Sequence, residues 1–506
     1  MSGWGRGSES ATLLHMKQIT KPATLIAAAG VVLGLAGPGS GASAADAESI
    51  TWTKCEGTGL DPRQQCAAVD VPMDYSDPDG RKIQIAVSRL PSEKPSARRG
   101  ALLLIPGGPG GVSLEDPSGK GQKLPQEVRD AYDLIGFAPR GMAPSSTSAC
   151  GLESKDLALA KLPWPAPDGS VAETMTTARR IAGACARNGG ELIRHISSAN
   201  EARDLDRVRA ALGESRISAW GDSYGSYVGS LYSQLFPHRT DRIVLDSNDN
   251  PDPTRVGRAW LAAFEVGVED NFPEFAKWAS RPGNPYRVAR KAADVRPLFL
   301  RLAERLDREP LPWPGANPAE LDGNVLRQTM LNSLYDPDDY PTLAQMILAT
   351  RKGTVPPVPD APSESMMQNA AAVGVGTLCN DVAWPRSVAH YQKGTDESRA
   401  EFPLTAGMPR GAMPCAAWPF TPKEPPVRIT DDGPSNILLV QNVRDVATPL
   451  SGARELRRAF GDRAVMVTVN STGHGAYLAN GNACGDRTVS RFLATGERPD
   501  RDTYCA

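Results

Sequence analysis

The apolar positions of this chain keep two rhythms, and the places where the rhythm changes divide the fold. Ile83, Ile85 and Val87 alternate with polar or small residues, the two-residue period of a half-buried strand. The run from Cys66 to Tyr75 lies before them across Asp77-Pro-Asp-Gly80, a turn sequence, so the pair predicts an opening hairpin. Ala101-Leu-Leu-Leu-Ile105 is apolar at every position, as expected of a parallel strand covered on both faces. Tyr132–Phe137, Ile217–Trp220 and Arg242–Asp246 predict further strands. Between these runs the period lengthens. Leu205, Val208 and Leu212 form the buried stripe of a helix that starts at Ser198, takes Glu201 into a capping box and ends at Gly213. Tyr224, Val228, Leu231, Tyr232 and Leu235 share one face of another helix, which Pro237 stops. Strand and helix in alternation predict an α/β fold, a mostly parallel sheet with helices on both faces.

At Asn250 the rhythm changes again. From there to residue 430 the pattern is helical and no strand stands out. Trp260–Trp278 (broken near Pro273), Val295–Leu306, Leu321–Leu334 and Thr342–Lys352 read as amphipathic helices. Proline-rich connectors such as Pro310-Leu-Pro-Trp-Pro314 separate them. Strand pattern returns at Ile437–Gln441 and Ala464–Val469, the expected last two strands. The chain thus divides into a leader (1–44), a first part of the core (45–249), a helical cap insertion (250–430) and a C-terminal part of the core (431–506).

Composition adds limits. With 506 residues and 40% hydrophobic content the chain can bury a large core, and a net charge of −2 with no basic stripe argues against a nucleic-acid partner. Lys17 and Lys21 precede an apolar run, Ala23–Ala36, and then Ala42-Ser43-Ala44, the order of a secretory signal; Met16 is a candidate start. That run is shorter than the ~20 residues of a membrane span. The mature protein is therefore expected to be extracellular, without a span. Its eight cysteines form no C-x-x-C pair, which disfavours zinc and thioredoxin-type sites, and an even count in an exported chain predicts disulfides. Joining neighbours along the chain keeps each bond within one local segment: Cys55–Cys66, Cys150–Cys185, Cys379–Cys415 and Cys484–Cys505.

One stretch carries the chemistry. Gly221-Asp-Ser223-Tyr-Gly225 lies between a strand and a helix, the setting of a nucleophile elbow with Ser223 at its apex. A serine nucleophile needs a base and an orienting acid. Of five histidines, His15 falls in the leader, His195 and His238 crowd the elbow region, and His390 lies in the insertion. His474, between Gly473 and Gly475 after the last expected strand, is the candidate base. Asp445, in the loop after the penultimate strand, is the candidate acid, with Asp246 the alternative. Asp222 is expected to point away from the serine. The backbone amide of Tyr224 and one from the loop Gly107-Gly-Pro-Gly-Gly111 are the candidate oxyanion donors; Pro109 has no N–H, and Gly108 is favoured over Gly110. No Lys-Ser/Thr follows that loop, so a nucleotide cradle is disfavoured. No cofactor is called for.

These motifs, together with Asp133-Leu-Ile-Gly-Phe-Ala-Pro-Arg-Gly141, Val244-Leu-Asp-Ser247, Asp445-Val-Ala-Thr-Pro449 and the closing Cys484–Cys505 segment, make the chain from about Cys55 onward resemble the secreted tripeptidyl aminopeptidases. Those are cap-bearing α/β-hydrolases related to the proline iminopeptidases. The resemblance implies an α/β-hydrolase fold and release of short peptides, usually tripeptides, from free amino termini. It also implies carboxylates near the cap that hold the substrate's ammonium; Glu265, Glu269, Asp270 and Glu115 are the candidates. The chain departs from the family pattern at Ile105-Pro106, where a histidine often precedes the glycine loop, and at Ala138, where aspartate is usual. Two other readings stay open: a secreted carboxylesterase or lipase built on the same triad, and an inactive hydrolase-like binding protein.

Overall fold

A computed structural model describes residues 50–158 and 162–506. The expected export signal, with His15 and Met16, lies outside the described residues. The strands are β1 (Thr53–Lys54), β2 (Gln65–Pro72), β3 (Lys82–Leu90), β4 (Gly100–Ile105), β5 (Tyr132–Phe137), β6 (Ile217–Asp222), β7 (Thr240–Asp246), β8 (Leu311–Pro312), β9 (Glu320–Leu321), β10 (Ile437–Arg444), β11 (Ala464–Thr472) and β12 (Thr503–Cys505). Ten of them form one sheet in the order β1-β2-β3-β5-β4-β6-β7-β10-β11-β12. The pairs β1/β2, β2/β3 and β3/β5 are antiparallel, and every pair from β5/β4 to β11/β12 is parallel. This is the α/β-hydrolase architecture.

Both faces of the parallel part are covered, as its unbroken apolar runs require. Along β4, Leu103 and Ile105 pack with Val228, Leu231 and Leu245 on one side. Leu102 and Leu104 pack with Val128, Val244 and Phe492 on the other. Each such side chain, fully buried, contributes roughly 1.5–3 kcal/mol. Register then fixes where the chemistry lies. Ile105 stands opposite Gly221, Asp222 opposite Asp246, and Val440 opposite Asp246, so the C-terminal ends of β4, β6, β7 and β10 share one edge.

Between β7 and β10 run the helices Arg258–Ala279, Val295–Arg308, Gly323–Ser333, Tyr340–Arg351, Glu364–Asp381 and Val388–Glu401. Phe272, Phe275, Phe299, Leu326 and Leu343 give the first four a separate core, which also takes in Val446 and Ala447 from the loop after β10, whereas Ala372, Val373 and Cys379 of Glu364–Asp381 pack into the core of the sheet. The first of these helices continues through Pro273, contrary to the expected break. Pro273 is on the exposed face, where water can serve the carbonyl left without an N–H partner. Three further features depart from expectation: the short hairpin of β8 and β9 inside the helical region, the closing strand β12, and the helix Ala172–Asn188. The disulfides are Cys55–Cys66, Cys150–Cys185, Cys379–Cys415 and Cys484–Cys505. Among the described residues no helix is long and apolar enough to cross a membrane.

Candidate active site

The elbow is as tight as its glycines imply. Ser223 has φ of 55° and ψ of −127°, a left-handed backbone rare for serine, between the end of β6 and the helix Tyr224–Leu235. Its amide donates to the Asp246 carbonyl at 2.9 Å, and its carbonyl accepts from the Ser226 amide at 2.8 Å. A side chain at Gly221 would meet the Gly225 carbonyl oxygen at 2.2 Å, and one at Gly225 would meet the Ile105 oxygen at 2.3 Å. The glycine loop after β4 lies against the nucleophile: a Cβ at Gly107 would stand 3.1 Å from Ser223 Cβ. Tyr224 is the first residue of its helix, so no earlier turn uses its amide.

Ser223, His474, Gly107, Gly108 and Tyr335 line a common cavity of about 450 Å³. His474 follows β11 in a loop that turns at Gly473 and Gly475, both at positive φ. Its amide donates to the Tyr335 carbonyl at 2.7 Å, which ties the loop to the helical region. Its Nδ1 lies 2.9 and 3.1 Å from the two carboxylate oxygens of Asp445. Asp445 is 0% exposed and also accepts from the amides of Ala447 at 3.0 Å and Thr448 at 2.9 Å, so its orientation is fixed by its own loop. Burial pulls the His474 imidazole down, but the Asp445 charge and hydrogen bond, with Asp222 and Asp246 beyond, outweigh it and push the group up to about 9.

Asp246 does something other than orient the imidazole. Its carboxylate accepts from the amides of Ala476 at 2.8 Å and Tyr477 at 3.0 Å, the residues just after His474. Beside it Ser247 Oγ accepts from the Gly475 amide at 2.9 Å, and Asn442 Nδ2 donates to the carbonyls of Gly473 and Gly475 at 3.0 and 2.8 Å. Together they clamp the histidine loop from below. Burial raises the Asp246 carboxyl to about 6, with those two amides acting against the rise. The sequence assigns no role to Ser247, which stands only as the end of a family-like motif, or to Asn442; strand-end polar residues beside a glycine turn were the available signal.

Other expectations fare differently. Asp222 does not turn away: it lines the cavity, and Lys120 Nζ lies 3.0 Å from it and 3.1 Å from Asp116. None of Glu265, Glu269, Asp270 and Glu115 lines the cavity around Ser223. Glu265 is buried, with both oxygens engaged by Arg410 at 2.9 and 2.7 Å. Glu269 is held by Arg296 at 2.9 and 3.1 Å, while Asp270 and Glu115 are exposed. The helix carrying the first three turns its carboxylates to other helices of its own layer or to solvent. Arg140 is fully buried and braces the molecule instead of the cavity, with Nη2 2.6 Å from Asp204 and further bonds to the carbonyls of Met73 and His195. Among the described residues no group of three or more His, Cys, Asp or Glu side chains is arranged to hold a metal ion.

The sequence of families leads to the same fold. The alpha/beta hydrolase fold family model matches residues 100–296, and a TAP-like protein family model matches residues 402–505. A tripeptidyl aminopeptidase of Streptomyces lividans is 31% identical over 471 residues, covering 90% of this chain and 86% of that protein. Serine protease Hip1 of Mycobacterium tuberculosis is 27% identical, covering 90% of this chain and 91% of that protein. Carboxylesterase B of the same species is 26% identical, with 90% of each covered.

Proposed function

Because the chain belongs to the tripeptidyl aminopeptidase family of α/β-hydrolases, we propose that this serine hydrolase is a secreted exopeptidase that releases short peptides, tripeptides foremost, from free amino termini. The observation that carries the reading is the convergence of Ser223 and the Asp445–His474 pair on one cavity beside the glycine loop. Ser223 Oγ attacks the scissile carbonyl. His474 takes the hydroxyl proton through Nε2 and returns it to the leaving amine. Asp445 keeps Nδ1 protonated and stabilises the imidazolium. The amides of Tyr224 and Gly108 receive the oxyanion. Water then cleaves the acyl-enzyme by the same path in reverse. Export is supported by four disulfides in a chain that begins with a signal-like leader. The helical layer between β7 and β10 is proposed to act as the cap, a roof that favours chain ends over internal bonds.

Chromogenic peptides with free and acetylated amino termini test this directly. An exopeptidase recognises the α-ammonium, and removing a charge that meets a buried partner costs about 10²-fold or more. Acetylation is therefore expected to lower kcat/KM by about that factor; equal turnover of the two forms removes the aminopeptidase reading. The similarity to a carboxylesterase keeps a second reading, in which simple acyl esters are turned over far better than any peptide. Failure of Ser223 to label with a fluorophosphonate would leave the inactive binding protein.

A further inference from the structure

The capping box expected at Ser198 and Glu201 is not there. Ser197 is the N-cap, its side chain accepting from the Asn200 amide. That frees Ser198 and Glu201, which turn inward with exposures of 1% and 4%. Both reach the phenol of Tyr224, whose own backbone amide is a proposed oxyanion donor. Glu201 Oε2 lies 2.9 Å from the Tyr224 hydroxyl, and Ser198 Oγ lies 3.0 Å from it. Ser198 Oγ in turn lies 2.5 Å from Asp381 Oδ2, and the Ser198 amide donates to Asp381 Oδ1 at 2.8 Å. Four side chains therefore make one chain of contacts: Glu201, Tyr224, Ser198, Asp381.

Counting protons decides its state. Three oxygen–oxygen contacts need three protons, and the two hydroxyls supply two. With both acids ionised, one contact sets lone pair against lone pair in a buried site, where such a conflict is costly. One added proton on a carboxyl completes the chain. Glu201 is the end that suits it. Its second oxygen, Oε1, is buried without a partner, which a neutral acid tolerates far better than a carboxylate. Asp381 suits the anion, since its other oxygen has the Ser198 amide.

Asp381 ends the helix Glu364–Asp381, and the same helix braces the other oxyanion arm. A Cβ at Gly110 would stand 3.5 Å from the Ala370 carbonyl oxygen and 3.7 Å from Val373 Cβ. Asn369 ties the start of that helix to the Ala143 amide and the Ser148 carbonyl, each at 2.8 Å. Near its end Asn380 donates to the carbonyls of Ile193 and Ile196, and Cys379 is bonded to Cys415.

We propose that Glu201, Tyr224, Ser198 and Asp381 form a chain, buried except at its half-buried Asp381 end, that holds one shared proton, and that this chain is a positioning device which fixes Tyr224, and so its amide, against the helix Glu364–Asp381. The proposal rests on the Tyr224 amide being an oxyanion donor, whatever the acyl substrate. Burial raises Glu201 to about 8 and Asp381 to about 7, so the added proton is present at neutral pH and is lost as pH rises through that range. The charges facing the chain are Asp204 and Arg140 beside Glu201, and Glu424 beside Asp381, itself paired with Arg203; Arg194 and Lys423 line the small cleft at Asp381.

The test compares variants by steady-state kinetics on a nitrophenyl ester and on a free-amine peptide, with thermal melts as the folding control. Glu201→Gln can still donate to the Tyr224 hydroxyl, so kcat at neutral pH is expected to hold and the fall in rate at alkaline pH to disappear. Ser198→Ala cuts the chain; kcat is expected to drop about 10²-fold with KM unchanged, the scale of a misplaced catalytic group. Difference infrared spectra of the wild type at neutral pH should show a protonated-carboxyl band that Glu201→Gln lacks. A wild-type spectrum without a protonated-carboxyl band overturns the proposal. So does Glu201→Gln that keeps the alkaline fall, or that loses as much kcat as Ser198→Ala. Loss of peptide turnover with the ester profile as expected counts against the peptidase reading alone.

Discussion

The acids at the strand ends and those on the helix Arg258–Ala279 are used in opposite ways. At the strand ends Asp246 and Asp445 accept mainly from backbone amides, at Ala476, Tyr477, Ala447 and Thr448. In the helical layer Glu265 and Glu269 accept from arginines, Arg410 and Arg296. A carboxylate bonded to amides of its own or a neighbouring turn is fixed by local sequence, and it fixes loop geometry in return. One bonded to an arginine from a distant segment reports only how two helices pack. The comparison says that chemistry should fail when the first kind is removed and stability when the second kind is.

The largest effect should come from the triad. Ser223→Ala or His474→Ala is expected to lower kcat by about 10⁶, the loss seen when a serine-protease triad member is removed, and Asp445→Ala by about 10⁴. Asp246→Ala leaves the nucleophile and base intact but unties the amides after His474, and about 10²-fold is expected, the cost of a misplaced group. Steady-state kinetics on one good substrate rank the four. A ranking with Asp246→Ala as severe as Ser223→Ala and Asp445→Ala mild would reassign the acid.

Next in size is the response to pH. His474 is held above the ordinary histidine value, up to about 9, and the mechanism needs its neutral form. On the acid side kcat/KM should therefore climb about tenfold per unit up to neutral pH, above which loss of the proton shared by Glu201 and Asp381 opposes the rise. The linkage to folding has the opposite sense. A histidine raised on folding stabilises the fold fully below pH 6.5, and that part is lost as pH rises through about 9. Asp445→Asn should flatten both dependences; an unchanged rate profile in that variant would detach the titration from this pair.

The same division explains what the sequence made legible. The strands of the parallel sheet announce themselves because both faces are buried, and the elbow because glycine is required on either side of Ser223. His474 and Asp445 follow from chain order and flanking loops. The helix Ala172–Asn188 escapes notice because its buried face is largely alanine, at 178, 182 and 184, which leaves a faint periodicity. The helix Glu364–Asp381 carries Gly374 and Gly376, poor helix formers, and packs on more than one side. Ser198 and Glu201 have the spacing of a capping box, and a one-residue shift of the N-cap to Ser197 gave them a different use. Asp222 faces the cavity because Lys120, a hundred residues earlier in the chain, is there to pair with it. No local pattern carries that information.

The smallest effect on catalysis, and the sharpest test of the comparison, lies in the pair Glu265–Arg410. Its two ends differ: the Glu265 side chain is 5% exposed and that of Arg410 44%. Removing Arg410 strands a buried carboxylate, and breaking a buried pair in that direction costs about 3–5 kcal/mol. Removing the charge of Glu265 leaves an arginine that water can reach, and about 1.5–3 kcal/mol is expected, the worth of a hydrogen bond to a charged group. Denaturant unfolding should therefore rank Arg410→Ala well below Glu265→Gln in stability. The folded Glu265→Gln enzyme should keep whatever preference the wild type shows for free over acetylated amino termini. If that variant instead lost the preference while retaining stability, Glu265 would be an ammonium ligand that exchanges Arg410 for substrate. The helix Arg258–Ala279 would then bind substrate as well as pack.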